Sequence, residues 1–260
     1  MIVLNESYET MLKRSYGYSE VIQRHSPAWQ LMKKLYDKNY IHAPSTIQRI
    51  PKRIHQIWLG GNLPDQYKAY TETWLGYHPD WDYTLWTDKD IKAISLHQPK
   101  LFQSCINMGM KSDILRYELL YQLGGLYVDT DFECLKPFDD LMNLNFFTSI
   151  SYDRELVLYI GLIASVPGHP IMSNCLKTMV ADPNLTKGSR IMDATGAYHF
   201  TRSFLRATNE ESQGVVAFPM DFFYPFPNNV RGIEEPYQYV KPFSYALHHW
   251  AVSWVKHKRR

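Results

Sequence analysis

Cysteine and net charge are both scarce in this sequence. Among its 260 residues there are three cysteines, and the formal net charge at pH 7 is +2. Because Cys105, Cys134 and Cys175 are widely spaced and odd in number, reduced thiols are expected rather than a disulfide framework. A charge this close to zero creates no overall field that would recruit nucleic acid. We therefore expect no nucleic-acid partner.

Long apolar runs are also missing. No stretch of about 18 residues is apolar enough to span a bilayer, and the opening residues, MIVLNESYET, contain no signal-peptide core. These absences predict a cytoplasmic protein. The basic end of the chain, residues 256–260, has two interpretations: a solvated tail, or a peripheral contact with an anionic membrane.

Aromatic residues, by contrast, are plentiful. They make up 15% of the chain, with 19 Tyr and 7 Trp. Such a composition suits the stacking of rings on sugars, and it equally suits an ordinary aromatic core. The length allows one large α/β domain or two small ones, with enough residues to bury a substantial core.

Residues 1–50 differ from the rest of the chain. Two helix-periodic runs, from Tyr8 to Ile22 and from Trp29 to Tyr40, predict an N-terminal helical extension before a main domain of residues 51–260. We interpret the extension as a cap packed on that domain. Because lysines are interleaved in the second run, an element on the membrane surface or on the substrate side stays an alternative.

The stretch Lys111–Pro137 carries the strongest pattern in the chain. Leucines recur at helical spacing up to Leu123, and Gly124 and Gly125 follow where a helix C-terminus favours positive φ. The β-prone run Leu126-Tyr127-Val128 then predicts a short buried strand.

That strand leads directly into two carboxylates, Asp129 and Asp131. Residues i and i+2 of a strand point to the same side, so the two side chains are expected to converge. Mutual repulsion makes such a pair costly, and a hard divalent cation relieves it. The pattern therefore predicts a site for Mn²⁺ or Mg²⁺ with a bound diphosphate. A water-exposed polar strand end is the alternative, since Asp-x-Asp is common by chance.

Asp113 and Arg116 lie three residues apart on the predicted helix and so share a face. One interpretation is a surface ion pair of small energetic weight. The other is a clamp for sugar hydroxyls, in which the carboxylate accepts hydrogen bonds and the guanidinium donates them.

The remaining pattern alternates strands and helices, which predicts an α/β fold. Strands are expected at Ile54–Leu59, Trp81–Trp86, Phe132–Leu135, Phe146–Tyr152 and Leu156–Val166, with an edge strand and loop at Val215–Phe226. Helices are expected at Pro64–Tyr77, within Ile91–Met110, at Pro170–Met179 and within Ile191–Ala207. Gly161 interrupts one predicted strand and would let backbone approach a ligand.

The block SDILRYELLYQLGGLYVDTD resembles the core of glycosyltransferase family 32, a group of sugar transferases that contain an Asp-x-Asp motif. The resemblance extends over residues 50–255 and includes the opening segment IPKRIHQIWLG. It implies a GT-A fold, in which a Rossmann-like mixed sheet flanked by helices binds a nucleotide sugar. The Golgi members of this family carry a transmembrane anchor, and this sequence shows none.

The resemblance also implies roles for individual residues. Asp129 and Asp131 would hold Mn²⁺ or Mg²⁺ and the donor diphosphate, and Asp113 and Arg116 would hold the donor sugar. Trp58 would stack on the base, in a pocket lined by Gln56 and Ile57. Tyr127 is also assigned to the donor site. Asp113, Arg116 and Asp131 are taken as the catalytic set.

Two segments nearer the C-terminus match the family less completely. Residues 195–197 read Thr-Gly-Ala where the family has Thr-Gly-Pro, so Thr195 and Gly196 are assigned near the diphosphate or sugar. The Ala-x-His-x-Trp pattern of the family falls on His248 as the third metal ligand, with His249 as second choice. Ser253 and Trp254 would contact the diphosphate.

The resemblance thus implies a metal-dependent glycosyltransferase that retains anomeric configuration by front-face attack. It would move a hexose from a UDP- or GDP-sugar to a hydroxyl of a glycan or lipid-linked acceptor. A catalytically silent nucleotide-sugar-binding protein of the same fold is the alternative. A phosphohydrolase of the D-x-D-x-[TV] kind is disfavoured because Glu133 occupies the Thr/Val position. The donor base, the sugar and the oligomeric state are left open.

Overall fold

A computed structural model describes residues 8–13, 25–42, 47–105, 107–152, 156–179 and 188–251, with the side chains of residues 152 and 188–190 left aside. The helices are α1 Tyr8–Lys13, α2 Pro27–Tyr36, α3 Asp65–Tyr77, α4 Pro99–Ser104, α5 Met108–Leu123, α6 Pro170–Thr178, α7 Gly188–Ala194 and α8 Ala197–Ala207. The strands are β1 Arg53–Ile57, β2 Asp82–Trp86, β3 Gly125–Val128, β4 Phe132–Cys134, β5 Phe146–Tyr152, β6 Leu156–Leu158, β7 Leu162–Ser165, β8 Val215–Phe218 and β9 Ala246–His248.

A seven-stranded mixed sheet forms the centre of the fold, in the order β2-β1-β3-β7-β5-β6, with β8 paired to the other edge of β5. The first three strands in this order run parallel, joined by crossovers that contain α3 and then α4 and α5. Strand β7 runs antiparallel to both β3 and β5. A separate antiparallel pair, β4 and β9, places His248 opposite Phe132. The predicted α/β class with a mixed sheet flanked by helices is confirmed.

The junction between α5 and β3 depends on two glycines. Gly124 and Gly125 have φ values of 64° and 102°, in the left-handed region that favours glycine. A Cβ on Gly125 would lie 2.8 Å from the carbonyl oxygen of Arg53 on β1. Glycine here therefore lets the chain reverse and lets β3 pair closely with β1, which delivers Asp129 to the strand end.

Three predicted boundaries differ from the structure. Strand β3 ends at Val128, so Asp129 and Asp131 lie in a turn and not along one strand. The predicted strand Leu156–Val166 is split into β6 and β7 by a turn at residues 159–161. Within Ile91–Met110 only short helical pieces form before α5. The first two differences share a cause: the N–H of Asp129 donates to the carbonyl of Gly161, and this tertiary contact overrides local propensity.

The N-terminal extension packs on strand β8. Tyr36 and Tyr40 contact the ring of Phe218 at 5.9 Å and 4.9 Å between ring centroids. The side-chain amide of Asn39 donates to the carbonyl of Val215 at 2.9 Å, and its oxygen accepts from the N–H of Gly214. The extension thus covers the sheet edge as a cap would. The division at residue 50 into two units stays a prediction.

The lysines of the extension are matched by acidic partners. Lys33 pairs with Asp37, Lys34 with Glu210 and Lys38 with Glu211. These pairings weaken the membrane-surface interpretation, because the positive charges already face carboxylates. Among the described residues, no helix is both long enough and apolar enough to cross a bilayer.

Acid should weaken this fold partly through His55 on β1. Its ring is buried between the carbonyl of Gly124 and the indole N–H of Trp86. Burial lowers the pKa of His55 to about 4. The unfolded chain would bind a proton below about pH 6.5, whereas the folded protein would not until about pH 4. Stability is therefore lost as the pH falls through this window.

We expect His55→Gln to lose less stability than the wild type between about pH 7 and pH 4.5, with a difference on the order of 2 kcal/mol. Urea unfolding at both pH values measures this difference. His42→Gln, at an exposed position, serves as the control and should behave like the wild type. Equal losses in wild type and His55→Gln would show that His55 does not set the acid sensitivity.

Candidate metal and donor site

Two carboxylates meet in the tight turn between β3 and β4. The N–H of Asp129 donates to the carbonyl of Gly161 at 2.7 Å, and the N–H of Phe132 donates back to the carbonyl of Asp129 at 3.2 Å. The turn therefore fixes Asp129 just after β3 of the central sheet and Asp131 just before β4 of the separate β4–β9 pair.

Asp129 is oriented through one of its two oxygens. Oδ1 accepts from the hydroxyl of Tyr127 at 2.6 Å and from the guanidinium of Arg116 at 3.1 Å. Both of these contacts are made by Oδ1, whereas Oδ2 lies beside Gly161. Burial raises the pKa of Asp129, Arg116 opposes that rise, and the nearby Asp131 carboxylate adds to it. A cation beside Asp129 would favour its charged form.

Arg116 is the hub of this region, although only 4% of its surface is exposed. Besides Asp129, it donates to the carbonyl of Ile160 at 2.8 Å and to the hydroxyl of Tyr127 at 3.1 Å, and it lies 3.5 Å from Asp113. Burial alone lowers its pKa, but these surrounding groups raise the pKa above its usual value, so the guanidinium stays charged. The predicted alternative of a surface ion pair is therefore wrong.

Asp113 is held by Thr195 as well as by Arg116. The hydroxyl of Thr195 donates to Oδ2 of Asp113 at 2.9 Å, although 82 residues separate them. Burial raises the pKa of Asp113 to about 6, while Arg116 and Thr195 oppose the rise. Gly196 begins helix α8, and a Cβ there would lie 2.8 Å from the Cα of Met192. The structure thus brings Thr195 to the predicted sugar clamp.

Asp131 is surrounded by the C-terminal segment. Its Oδ1 lies 3.1 Å from Nε2 of His248, and its Oδ2 accepts from the N–H of Ala251 at 2.7 Å. The N–H of His249 donates to the backbone carbonyl of Asp131. Although burial raises the pKa of Asp131, His248 and the Ala251 N–H lower it below its usual value.

Asp129, Asp131 and His248 together form a group that can hold a cation. One candidate ligand atom from each lies within 4.8 Å of the others. Nδ1 of His248 is buried and makes no hydrogen bond within the described part of the chain. Two carboxylates and an imidazole are suitable ligands for Mn²⁺, and the carboxylates alone also suit Mg²⁺. The residues present therefore fit the predicted divalent cation.

His249, the second choice for this group, lies elsewhere. Its Nε2 contacts the carboxylate of Glu133 at 3.1 Å, and its ring stacks on Tyr70 at 4.3 Å. Tyr237 donates to the same Glu133 oxygen at 2.7 Å. The two adjacent histidines thus face different carboxylates, as the expected alternation along the chain requires, and His248 is the one beside the Asp pair.

The predicted base pocket begins at the end of β1. Trp58 is half-buried, and its ring lies 5.1 Å from that of Tyr67 on α3. Ile57 is buried. Gln56 does not line an open pocket, because it is fully buried and accepts hydrogen bonds from Thr71 and Tyr83. A polar side chain within a strand is easily mistaken for a ligand contact when its buried partners are unknown.

Several neighbours of the carboxylates were not predicted. Gly161 was noted only as an interruption, yet a Cβ there would lie 2.8 Å from Oδ2 of Asp129 and 3.1 Å from the hydroxyl of Tyr224. Trp250 contacts His248 at 4.1 Å and has a φ of 55°, rare for a residue other than glycine. Ser253 and Trp254, predicted to contact the diphosphate, lie outside the described residues.

Comparison with protein families gives a match over the part of the chain that contains this site. Residues 64–148 match the glycosyltransferase sugar-binding region containing the DXD motif. These residues are a glycosyltransferase sugar-binding region. Asp129-Thr130-Asp131 is its DXD motif. The predicted resemblance to glycosyltransferase family 32 is confirmed.

Individual relatives extend the similarity beyond the DXD region. Inositol phosphoceramide mannosyltransferase 1 of Schizosaccharomyces pombe is 32% identical over 146 residues, which cover 53% of this chain and 45% of that protein. An uncharacterized glycosyltransferase, L373, of Acanthamoeba polyphaga mimivirus is 27% identical over 217 residues, 80% of this chain and 85% of the viral one. The chain thus spans less than half of the fission yeast relative.

A solved structure shares the fold. The PaToxG glycosyltransferase superposes with a TM-score of 0.50 at 16% identity, covering 73% of this chain and 79% of that one. At this identity the likeness concerns the fold alone. It confirms the GT-A arrangement, with the DXD motif at the end of a central strand.

Gly161→Ala should damage the site directly. The added methyl group would lie within 3.1 Å of Asp129 Oδ2, of the Phe132 ring and of the Tyr224 hydroxyl. We expect a loss of roughly 1–3 kcal/mol in unfolding free energy together with weaker Mn²⁺ binding, measured by thermal unfolding and calorimetry.

Gly76→Ala is the matched control, because Gly76 lies within α3 and a Cβ there meets nothing within 4 Å. That change should leave Mn²⁺ binding intact and raise stability by up to about 1 kcal/mol. A Gly161→Ala protein as stable and as metal-competent as the wild type would contradict the tight packing at residue 161.

Proposed function

We propose that this protein is a metal-dependent, retaining glycosyltransferase that moves a hexose from a nucleoside-diphosphate sugar to an acceptor hydroxyl. The observation that carries the proposal is the convergence of Asp129, Asp131 and His248 beside the buried pair of Asp113 and Arg116. A site for a diphosphate-bound cation and a clamp for sugar hydroxyls are thus adjacent, as transfer of a glycosyl group requires.

In this proposal Asp129, Asp131 and His248 hold Mn²⁺ or Mg²⁺. A bound cation would supply Lewis-acid stabilisation of the negative charge on the departing diphosphate. Tyr127 and Arg116 fix Oδ1 of Asp129, so its carboxylate is oriented before any ligand arrives. Such preorganisation lowers the reorganisation needed during the reaction.

The donor sugar would be oriented by Asp113 and Arg116, with Thr195 fixing the Asp113 carboxylate. The carboxylate accepts from sugar hydroxyls and the guanidinium donates to them, which aligns the anomeric carbon for attack. We propose front-face attack with retention of anomeric configuration, as the resemblance to glycosyltransferase family 32 implies. Trp58 would stack on the nucleotide base.

The sugar and the acceptor are proposed from the relatives. The fission yeast relative is named an inositol phosphoceramide mannosyltransferase, so mannose is our first candidate for the transferred hexose and GDP-mannose the first donor to test. UDP-galactose, UDP-glucose and UDP-N-acetylglucosamine are the other candidates. The acceptor is proposed to be a glycan or a lipid-linked glycan. Cytoplasmic location, and membrane contact through residues 256–260 outside the described chain, stay predictions.

Donor class is tested by a thermal-shift panel of these nucleotide sugars, each with and without Mn²⁺. A ligand that binds only the folded state raises the melting temperature by mass action. We expect one base family to raise it, and only in the presence of metal. No metal-dependent shift with any nucleotide sugar would contradict the proposed donor site.

Asp131→Asn should reduce metal-dependent nucleotide release by more than about a hundredfold. Its melting temperature should stay close to that of the wild type, because asparagine keeps an oxygen that can accept from the N–H of Ala251. Asp65→Asn, at an exposed carboxylate at the start of α3, is the control and should keep full activity. A silent binding protein would show donor binding in the panel but no release even in the wild type.

A further inference from the structure

Two half-buried aromatic residues, Tyr159 and Trp250, lie beside the DXD motif. Neither has a role in the proposed binding of the nucleotide sugar. Their centroids are 5.5 Å apart in an edge-to-face arrangement. Both rest on the buried ring of Tyr224, at 4.4 Å and 5.7 Å. Together the three rings form a continuous aromatic surface, of which Tyr159 and Trp250 supply the accessible part.

Tyr159 is fixed relative to the carboxylates through its backbone. Its N–H donates to the carbonyl of Ser149, and its own carbonyl accepts from the hydroxyl of Thr148. The carbonyl of the next residue, Ile160, accepts from Arg116, and that of Gly161 accepts from the N–H of Asp129. The turn that carries the Tyr159 ring is therefore tied to the first carboxylate of the motif.

Trp250 is fixed relative to the second carboxylate. The residues on either side of it, His249 and Ala251, both donate backbone N–H groups to Asp131. Its indole N–H donates to the carbonyl of Phe226 at 2.7 Å. Its φ of 55° is a conformation that persists only where the surroundings enforce it. The indole is thus aimed across the site at Tyr159 and His248.

The buried ring of Tyr224 connects this surface to the carboxylates through close packing at Gly161. The hydroxyl of Tyr224 and Oδ2 of Asp129 both border the space beside Gly161, at 3.1 Å and 2.8 Å from the position a Cβ would take. Trp250 also lies 4.1 Å from the ring of His248. A molecule seated on Tyr159 and Trp250 would therefore lie beside the group of Asp129, Asp131 and His248.

We propose that Tyr159 and Trp250 are the contact surface for the acceptor, on which a six-membered ring bearing hydroxyls stacks. This inference rests on the proposed function. The hydroxyls of the donor sugar are already matched by Asp113 and Arg116, whereas an acceptor hydroxyl must come within about 3–3.5 Å of the anomeric carbon. The acceptor must consequently lie beside the DXD motif, and flat rings offer the apolar face that a pyranose or cyclitol ring stacks on.

The test is ligand-observed saturation-transfer NMR with two probes, methyl α-D-mannopyranoside and myo-inositol, which represent the two sources of such a ring. We expect at least one probe to bind the wild type. Tyr159→Phe should keep binding, and Tyr159→Ala should weaken it about tenfold. Tyr77→Ala removes an exposed ring at the far end of α3 and should bind as the wild type does. Should Tyr159→Ala lack a cooperative thermal transition, Tyr159→Leu replaces it, filling the space without a flat face.

A competition experiment with the nucleotide sugar distinguishes an acceptor site from a donor site at these rings. Adding the nucleotide sugar selected by the thermal-shift panel, with Mn²⁺, should leave the probe bound. Displacement of the probe would assign the rings to the donor sugar and overturn the proposal, as would binding of neither probe or undiminished binding by Tyr159→Ala and Tyr159→Leu. Failure of the proposed function has a different signature, namely no metal-dependent shift with any nucleotide sugar in the wild-type protein.

Discussion

The buried guanidinium of Arg116 is the constraint on which the rest of the site depends. From helix α5 it reaches strand β3 through Tyr127, the DXD turn through Asp129 and, 44 residues away in the chain, the β6–β7 turn through Ile160. A buried charge of this kind is tolerated only when its partners are all in place, since removal of one partner costs roughly 3–5 kcal/mol. The geometry of the candidate site and the local stability of the fold thus depend on the same set of contacts.

Residues near the C-terminus also contact the DXD motif and hold its second carboxylate. Strand β9 pairs with β4, which places His248 beside Asp131 and His249 beside Glu133. Two histidine–carboxylate contacts therefore lie side by side, one at the DXD motif and one at its margin. The turn at Trp250 then adds the N–H of Ala251 to Asp131. Because these contacts are made by backbone as much as by side chain, the segment 246–251 completes the site and does not merely cover it.

How much of this could be predicted depends on the distance over which each contact forms. Local spacing predicted that Asp113 lies beside Arg116 and that Asp129 lies beside Asp131, whereas the roles assigned to them came from the family resemblance. His248 and Thr195 lie more than 80 residues from their partners, and only the family resemblance indicated them. Trp250 belongs to the Ala-x-His-x-Trp pattern, but the pattern gave no sign of its contacts or of its unusual backbone angle. Tyr224 and the N–H of Ala251 carried no sequence pattern, because their positions follow from tertiary packing. Gly161 could be recognised in the sequence, because it interrupts an apolar run.

The contacts of the N-terminal extension limit where the chain can be truncated. Asn39 satisfies backbone groups at both Gly214 and Val215, while Tyr36 and Tyr40 cover Phe218 at the outer edge of the sheet. A fragment beginning near residue 51 would present an unprotected strand edge and bare aromatic rings to solvent, a combination that favours intermolecular strand pairing. Truncation near residue 51 would therefore remove part of the packing of the sheet edge and favour aggregation over a shortened folded domain.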